Sequence, residues 1–118
     1  MSADIRTIPH FIKGKHEAGA SDRFGDVFDP SAGEVQARVP LATKAELARA
    51  VEIAREAQID WAATNPQRRA RVMFRFKALV EENMEDLARL LASEHGKVVA
   101  DAKGDIQRGL EVIEFACG

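Results

Sequence analysis

The pattern of apolar and polar positions divides the sequence into an extended N-terminal part and a helical remainder. Up to about residue 42, short runs alternate apolar with polar residues between turn-forming residues, which is typical of β-strands. From residue 43 onward, apolar residues recur at steps of three and four, the spacing that places them on one helical face. We therefore predict a mainly α chain with two parts, a β-hairpin arm (residues 1–42) and a three-helix segment (residues 43–118).

Two hairpins are predicted in the arm. The first has residues 11–13 and 16–18 on either side of a corner at Gly14-Lys15. In the second, a loop at residues 29–33 connects Val27-Phe28 to a strand in which apolar and polar residues alternate. In this loop a proline presets φ and a glycine supplies a positive φ. The alternating run consists of Val35, Ala37 and Val39.

Start and stop signals define three predicted helices. Thr43, followed by Glu46, forms a capping box that begins the first helix at residues 44–63. Asn65-Pro66 offers an N-cap and a first helical proline for the second helix, which extends over residues 66–95. Gly96 suits a left-handed C-cap, and the third helix covers residues 98–117.

The apolar residues of the second helix cover more than one of its faces, so this helix needs packing partners on at least two sides. The set is Met73, Phe74, Phe76, Leu79, Val80, Met84, Leu87, Leu90 and Leu91. The apolar pattern of the third helix still continues where the sequence stops. We expect a truncated part of a longer protein, which by itself exposes an apolar patch and forms a dimer or aggregates.

Charge and composition exclude several classes of function. Seventeen basic and 19 acidic side chains give a net charge of -2, and their signs are interleaved, so nucleic-acid binding is not expected. No apolar run approaches the ~20 residues of a membrane span, and residues 1–9 lack the apolar core of a signal peptide, so we predict a cytoplasmic protein. The single cysteine and the scattered histidines predict neither a disulfide nor a metal site.

The residues that usually carry chemistry are interpreted here as structural. Neither G-x-G-x-x-G nor G-x-x-x-x-G-K-[ST] occurs, so no cofactor-binding residue is assigned. Cys117, on the apolar face of the third helix, is interpreted as a buried structural thiol rather than a nucleophile. His95, in the last turn of the second helix, is interpreted as complementing the helix dipole. No catalytic residue is assigned to this chain.

Arg108 is the candidate binding residue. Its side of the third helix also carries Val112 and Phe115, so the guanidinium lies on a partly apolar surface. It could form a weak ion pair within the helix, with Asp105 or Glu111. It could instead bind a substrate carboxylate through a bidentate fork that lysine cannot reproduce. The residues alone leave both possibilities open.

A series of short motifs together resembles the N-terminal part of the aldehyde dehydrogenase superfamily. They are FDPSAGEV at residues 28–35, Val39-Pro40, residues 50–57 with Trp61, Pro66 with Arg69, and Glu94-His95-Gly96-Lys97, which is similar to the E-x-G-K signature of that family. Two further stretches, IPHFI at residues 8–12 and GDIQRGLEVIEFACG at residues 104–118, resemble the methylmalonate-semialdehyde dehydrogenase subfamily. The match covers nearly the whole chain in order.

The resemblance implies an enzyme that oxidises malonate or methylmalonate semialdehyde with NAD and, with decarboxylation, transfers the acyl group to coenzyme A to yield acetyl-CoA or propionyl-CoA. It implies that the nucleophilic cysteine and the nucleotide-binding residues lie outside this segment, so NAD and coenzyme A would bind the intact enzyme and the segment alone would be inactive. By position, Arg108 matches the arginine that binds the substrate carboxylate in that subfamily.

The resemblance also implies the surroundings of this segment. The arm would lie near the interface of a homo-oligomer, and the helices would pack on the parallel sheet of an α/β nucleotide-binding domain. Two alternatives stay open. One is a self-contained helical interaction module, and the other is a different aldehyde dehydrogenase, such as a succinate-semialdehyde enzyme that uses water as the acyl acceptor.

Overall fold

The computed structural model describes residues 5–118, in which short strands are followed by helices. The strands are β1 (Arg6–Thr7), β2 (His10–Ile12), β3 (Lys15–Glu17), β4 (Phe24–Asp29) and β5 (Glu34–Pro40). The helices are α1 (Lys44–Ala63), α2 (Pro66–Glu82), α3 (Met84–His95) and α4 (Val99–Cys117). The predicted fold class, mainly helical with a β-hairpin arm, is confirmed.

The first predicted hairpin is formed by β2 and β3, which pair antiparallel with Phe11 opposite His16. Its two-residue turn has positive φ at both positions, 53° at Lys13 and 74° at Gly14. Positive φ at both central residues defines a type I′ turn, whose backbone twist matches the twist of the paired strands. The expected corner is therefore confirmed, one residue earlier than predicted.

The second predicted hairpin is formed by β4 and β5. Asp29 organises its loop, because Oδ1 accepts a hydrogen bond from the N–H of Ser31 at 2.9 Å and the carbonyl accepts one from Gly33 at 2.8 Å. Gly33 has a φ of 72°, as the turn requires. The register shifts between Val27 and Phe28, where β5 contains an extra residue. Strand β1, which pairs parallel with β5, was not predicted.

The start of α1 has the predicted capping box. The N–H of Glu46 donates to Thr43 Oγ1 at 3.2 Å, and the N–H of Thr43 donates to Glu46 Oε2 at 2.8 Å. The other oxygen of Glu46 accepts a third hydrogen bond, at 2.6 Å, from the N–H of Ala20. The Thr43 N–H, and after it the Ala20 N–H, lowers the pKa of Glu46. Arg49 on α1 also pairs with Glu17 on β3.

We expect the stability of this cap to depend on pH. Since the folded pKa of Glu46 lies below the ordinary value of 4.5, its contribution is complete above 4.5 and is lost as the pH falls through the folded value. Replacing Glu46 by glutamine should therefore flatten the acid decline of the unfolding free energy, measured by circular dichroism at low protein concentration. Glu56→Gln, at an exposed position of α1, is the control. Equal acid declines in both variants and the parent chain would contradict the prediction.

The predicted second helix, residues 66–95, is wrong as a single element, because it is divided into α2 and α3 at Asn83. Asn83 has φ -104° and ψ 16°, and its side-chain amide donates to the carbonyl of Leu79 at 2.8 Å. This side-chain bond competes with the helical ladder. The carbonyl of Asn83 then accepts the N–H of Leu87 at 3.0 Å and begins α3. The apolar period continues across the break, so periodicity could not reveal it.

The chain divides into two compact units, one ending at Asp60 and the other covering Trp61–Gly118. In the second unit α2 and α3 both pack against α4. The buried residues among residues 5–118 are Ala37 and Pro40 in the first unit and Ala88, Ala102 and Leu110 in the second. The predicted division into an arm (1–42) and a three-helix segment (43–118) stays a prediction, and residues 1–4 of that arm lie outside the described residues.

Candidate functional site

A short connection carries the chain from α3 into α4. Gly96 has a φ of 83°, and its N–H donates to the carbonyl of Ala92 at 2.8 Å, as predicted for a left-handed C-cap. The carbonyl of Val98 then accepts the N–H of Ala102 at 3.1 Å, which begins α4. Lys97 therefore lies immediately before the first turn of α4.

Ion pairs connect α4 to both neighbouring helices. Lys103 pairs with Glu85 on α3 and thereby lowers the pKa of the Glu85 carboxyl. Lys77 on α2 lies 2.5 Å from Glu81 and 3.3 Å from Glu114 on α4, and hydrogen bonds to these two carboxylates raise its pKa. Because α2 and α3 both contact α4, the side of α4 that faces away from them forms an outer face.

The two faces of α4 differ as the sequence pattern predicts. Ala102 and Leu110 are buried on the packed face. The other face carries Arg108, whose side chain is 73% exposed, together with Val112 and Phe115, which are 68% and 87% exposed. A cation on an exposed and partly apolar surface can attract an anionic ligand.

Arg108 takes part in a three-residue charge cluster. Its Nη2 donates to Oδ1 of Asp105, while Oδ2 of Asp105 accepts a hydrogen bond from Nζ of Lys97. Lys97, and after it Arg108, lowers the pKa of the Asp105 carboxyl. The ion pair expected for Arg108 within the helix is thus present. It uses one of the five N–H donors of a guanidinium, so an external carboxylate can still bind.

The sequence did not reveal the contribution of Lys97 to this cluster. Lys97 and Asp105 are eight positions apart, which is outside the three- and four-residue spacings that bring side chains together on one helix. In the sequence, Lys97 stands out only as the lysine of the E-x-G-K signature. The connection between α3 and α4 brings it to Asp105.

The other two candidates lie at helix ends. His95 is exposed in the last turn of α3, where its charge can complement the helix dipole. Cys117 is a free thiol that is partly exposed, so the prediction that it is buried is wrong. The residues beside it, Ala116 and Gly118, are exposed as well, because α4 ends there.

Clusters of metal-ligating side chains and membrane-spanning helices are both absent from residues 5–118. In that part of the chain no three side chains among His, Cys, Asp and Glu are grouped to hold a metal ion. None of its helices combines the length and the apolar character of a transmembrane span.

Comparison with known proteins agrees with this architecture. The chain is 43% identical over 116 residues to the mouse methylmalonate-semialdehyde/malonate-semialdehyde dehydrogenase [acylating], mitochondrial, covering 98% of this chain and 22% of that protein. It is 42% identical, over 98% of its length, to the malonate-semialdehyde dehydrogenase of Listeria monocytogenes serotype 4b, of which it spans 24%.

A solved structure also resembles the chain closely. A Sinorhizobium meliloti 1021 protein, described as a methylmalonate-semialdehyde dehydrogenase and complexed with NAD, superposes with a TM-score of 0.95 at 55% identity. The superposition covers 99% of this chain and 24% of that one. The family model for the aldehyde dehydrogenase family matches residues 16–118. The chain therefore belongs to the aldehyde dehydrogenase family.

Proposed function

We propose that the protein containing this chain oxidises malonate or methylmalonate semialdehyde with NAD and transfers the acyl group to coenzyme A. The products would be acetyl-CoA from malonate semialdehyde and propionyl-CoA from methylmalonate semialdehyde, because the substrate carboxylate would leave as carbon dioxide after the oxidation and before acyl transfer. The names of the mouse and Listeria relatives support the substrates, and the name of the mouse protein supports acyl transfer. The NAD in the Sinorhizobium structure supports the oxidant. This chain spans about a quarter of such an enzyme and would supply substrate binding rather than the reacting atoms.

The exposed guanidinium of Arg108 is the observation that carries this proposal. A semialdehyde acid has a reactive aldehyde at one end and a carboxylate at the other, so its enzyme needs a cation at a fixed distance from the chemistry. Arg108 offers a planar fork of N–H donors that matches a carboxylate. Val112 and Phe115, about one and two turns further along α4, are well suited to flank the carbon chain.

The residues of this chain do not fit a nucleotide or coenzyme A. No G-x-G occurs in the sequence, and neither of its G-x-x-x-x-G stretches, residues 14–19 and 104–109, is followed by the Lys-Ser/Thr pair of a phosphate-binding loop. We therefore derive no step through either cofactor. The nucleophile and the cofactor-binding residues would lie in other parts of the enzyme, and the 118-residue chain alone would not reduce NAD.

The acyl acceptor can be tested directly. The protein that contains this chain should form NADH steadily when malonate semialdehyde and coenzyme A are both present, with acetyl-CoA as the product. Omission of coenzyme A should slow turnover at least ~tenfold and leave a burst of NADH, because the acyl-enzyme then accumulates. NADH should be followed by absorbance and acyl-CoA by mass spectrometry.

Undiminished turnover without coenzyme A, with a free acid as the product, would contradict acyl transfer. It would favour an enzyme in which water accepts the acyl group. Propanal serves as the control substrate, because it tests the oxidation step without a carboxylate.

A further inference from the structure

Asp105 lies between two cations near the start of α4. One carboxylate oxygen accepts a hydrogen bond from Arg108, three positions later, and the other accepts one from Lys97, eight positions earlier. Each oxygen therefore has its own cationic partner. One carboxylate and two cations leave the cluster with one net positive charge, so it still attracts an anion.

Exposure differs strongly across this cluster. The side chains of Lys97 and Asp105 are 21% and 32% exposed, whereas that of Arg108 is 73% exposed. The pair formed by Lys97 and Asp105 is therefore the less exposed part of the cluster, and Arg108 is the part that an external ligand can reach. A free arginine that is this exposed would sample many rotamers and lose that freedom when it binds a ligand.

We propose that Asp105 is a positioning residue for Arg108. Anchored by Lys97, it holds the guanidinium so that the remaining N–H donors face the incoming carboxylate. The inference rests on the proposed function, because it requires Arg108 to bind the substrate. It adds that the affinity of this site depends on a residue of the same charge as the ligand.

The sign of the effect distinguishes positioning from simple electrostatics. A nearby carboxylate repels an anionic substrate, so its removal should lower KM if charge alone matters. If Asp105 orients Arg108, its removal should raise KM, because the guanidinium must be ordered during binding. Asp105→Asn keeps the size of the side chain and removes its charge, so it separates these two effects.

The experiment compares malonate semialdehyde with propanal in the protein that contains this chain. Asp105→Asn should raise KM for malonate semialdehyde about fivefold, as expected of groups that share a hydrogen bond, and leave KM for propanal unchanged. Lys97→Gln should act in the same direction. Asp101→Asn, which removes the same charge about one turn earlier on α4, should not raise KM. The ratio of the two substrates within one variant corrects for any loss of folded enzyme.

Combination with Arg108→Leu separates failure of the inference from failure of the proposed function. If Asp105 acts through Arg108, Asp105→Asn should have no further effect in the Arg108→Leu background. A selective effect of Arg108→Leu, with an unchanged or lower KM in Asp105→Asn, would overturn the positioning role alone. An increase in KM caused by Asp105→Asn in the Arg108→Leu background would also overturn the positioning role. An Arg108→Leu variant that affects both substrates equally would remove the carboxylate site and, with it, this inference.

Discussion

Replacing Arg108 by leucine, in the protein that contains this chain, should raise KM for malonate semialdehyde about 100-fold while kcat changes little. The substrate carboxylate would lose two charge-assisted hydrogen bonds, each worth about 1.5 kcal/mol. A loss of about 3 kcal/mol corresponds to about two powers of ten in affinity. The effect should fall on KM, because the carboxylate keeps its charge while the aldehyde at the other end is oxidised.

The same variant should oxidise propanal with an unchanged KM, because that substrate has no carboxylate. Steady-state kinetics of NADH formation with both substrates is the measurement. Arg71→Leu, at an exposed position of α2, removes the same charge and serves as the control. Arg108→Lys should recover only part of the affinity, since an ammonium cannot form the bidentate fork. Similar losses with both substrates would exclude Arg108 from the carboxylate site.

The isolated chain should self-associate as its concentration rises. The second compact unit leaves large apolar side chains of α2 and α3 uncovered, with Phe76 49%, Leu79 56% and Leu90 47% exposed. A groove of about 440 Å³, lined by residues from α2, α3 and α4, includes Phe76 and Leu90. Contiguous apolar patches above a few hundred Å² are rare on monomers. Light scattering over a concentration series should therefore show dimers or larger species.

Charged substitutions on this surface should reduce the association. Leu79→Glu and Leu90→Glu place carboxylates on the exposed apolar surface, where they should keep the chains apart without removing a buried side chain. Gln107→Glu adds the same charge at an exposed position of α4 and should leave the association unchanged. A clean monomer of the parent chain at millimolar concentration would contradict the expectation. Dimers that persist in both leucine variants would show that another surface is responsible.

Local features were predicted well because their signals lie within a few residues of one another. The capping box of Thr43 and Glu46 and the N-cap of Asn65 each connect groups two or three positions apart. Gly96 ends α3 through its own φ, which depends on the absence of a side chain. The bounds of α1 followed from such signals. The family resemblance likewise depended on the order of short motifs, and the comparisons confirmed it.

Pairing across long stretches of sequence was decided only by the tertiary structure. Strand β1 pairs with β5 across more than thirty residues, with Arg6 opposite Ala37, and two residues are too few to show a period. The break at Asn83 was hidden because the apolar period continues through it.

The candidate site shows the same division between sequence and structure. The sequence by itself determined that an arginine occurs beside apolar residues on one side of α4. Only the structure showed that this side is exposed and that Asp105 is shared between Arg108 and Lys97. The physical reason is that helical periodicity relates residues within one helix, whereas Lys97 reaches Asp105 from the connection before α4.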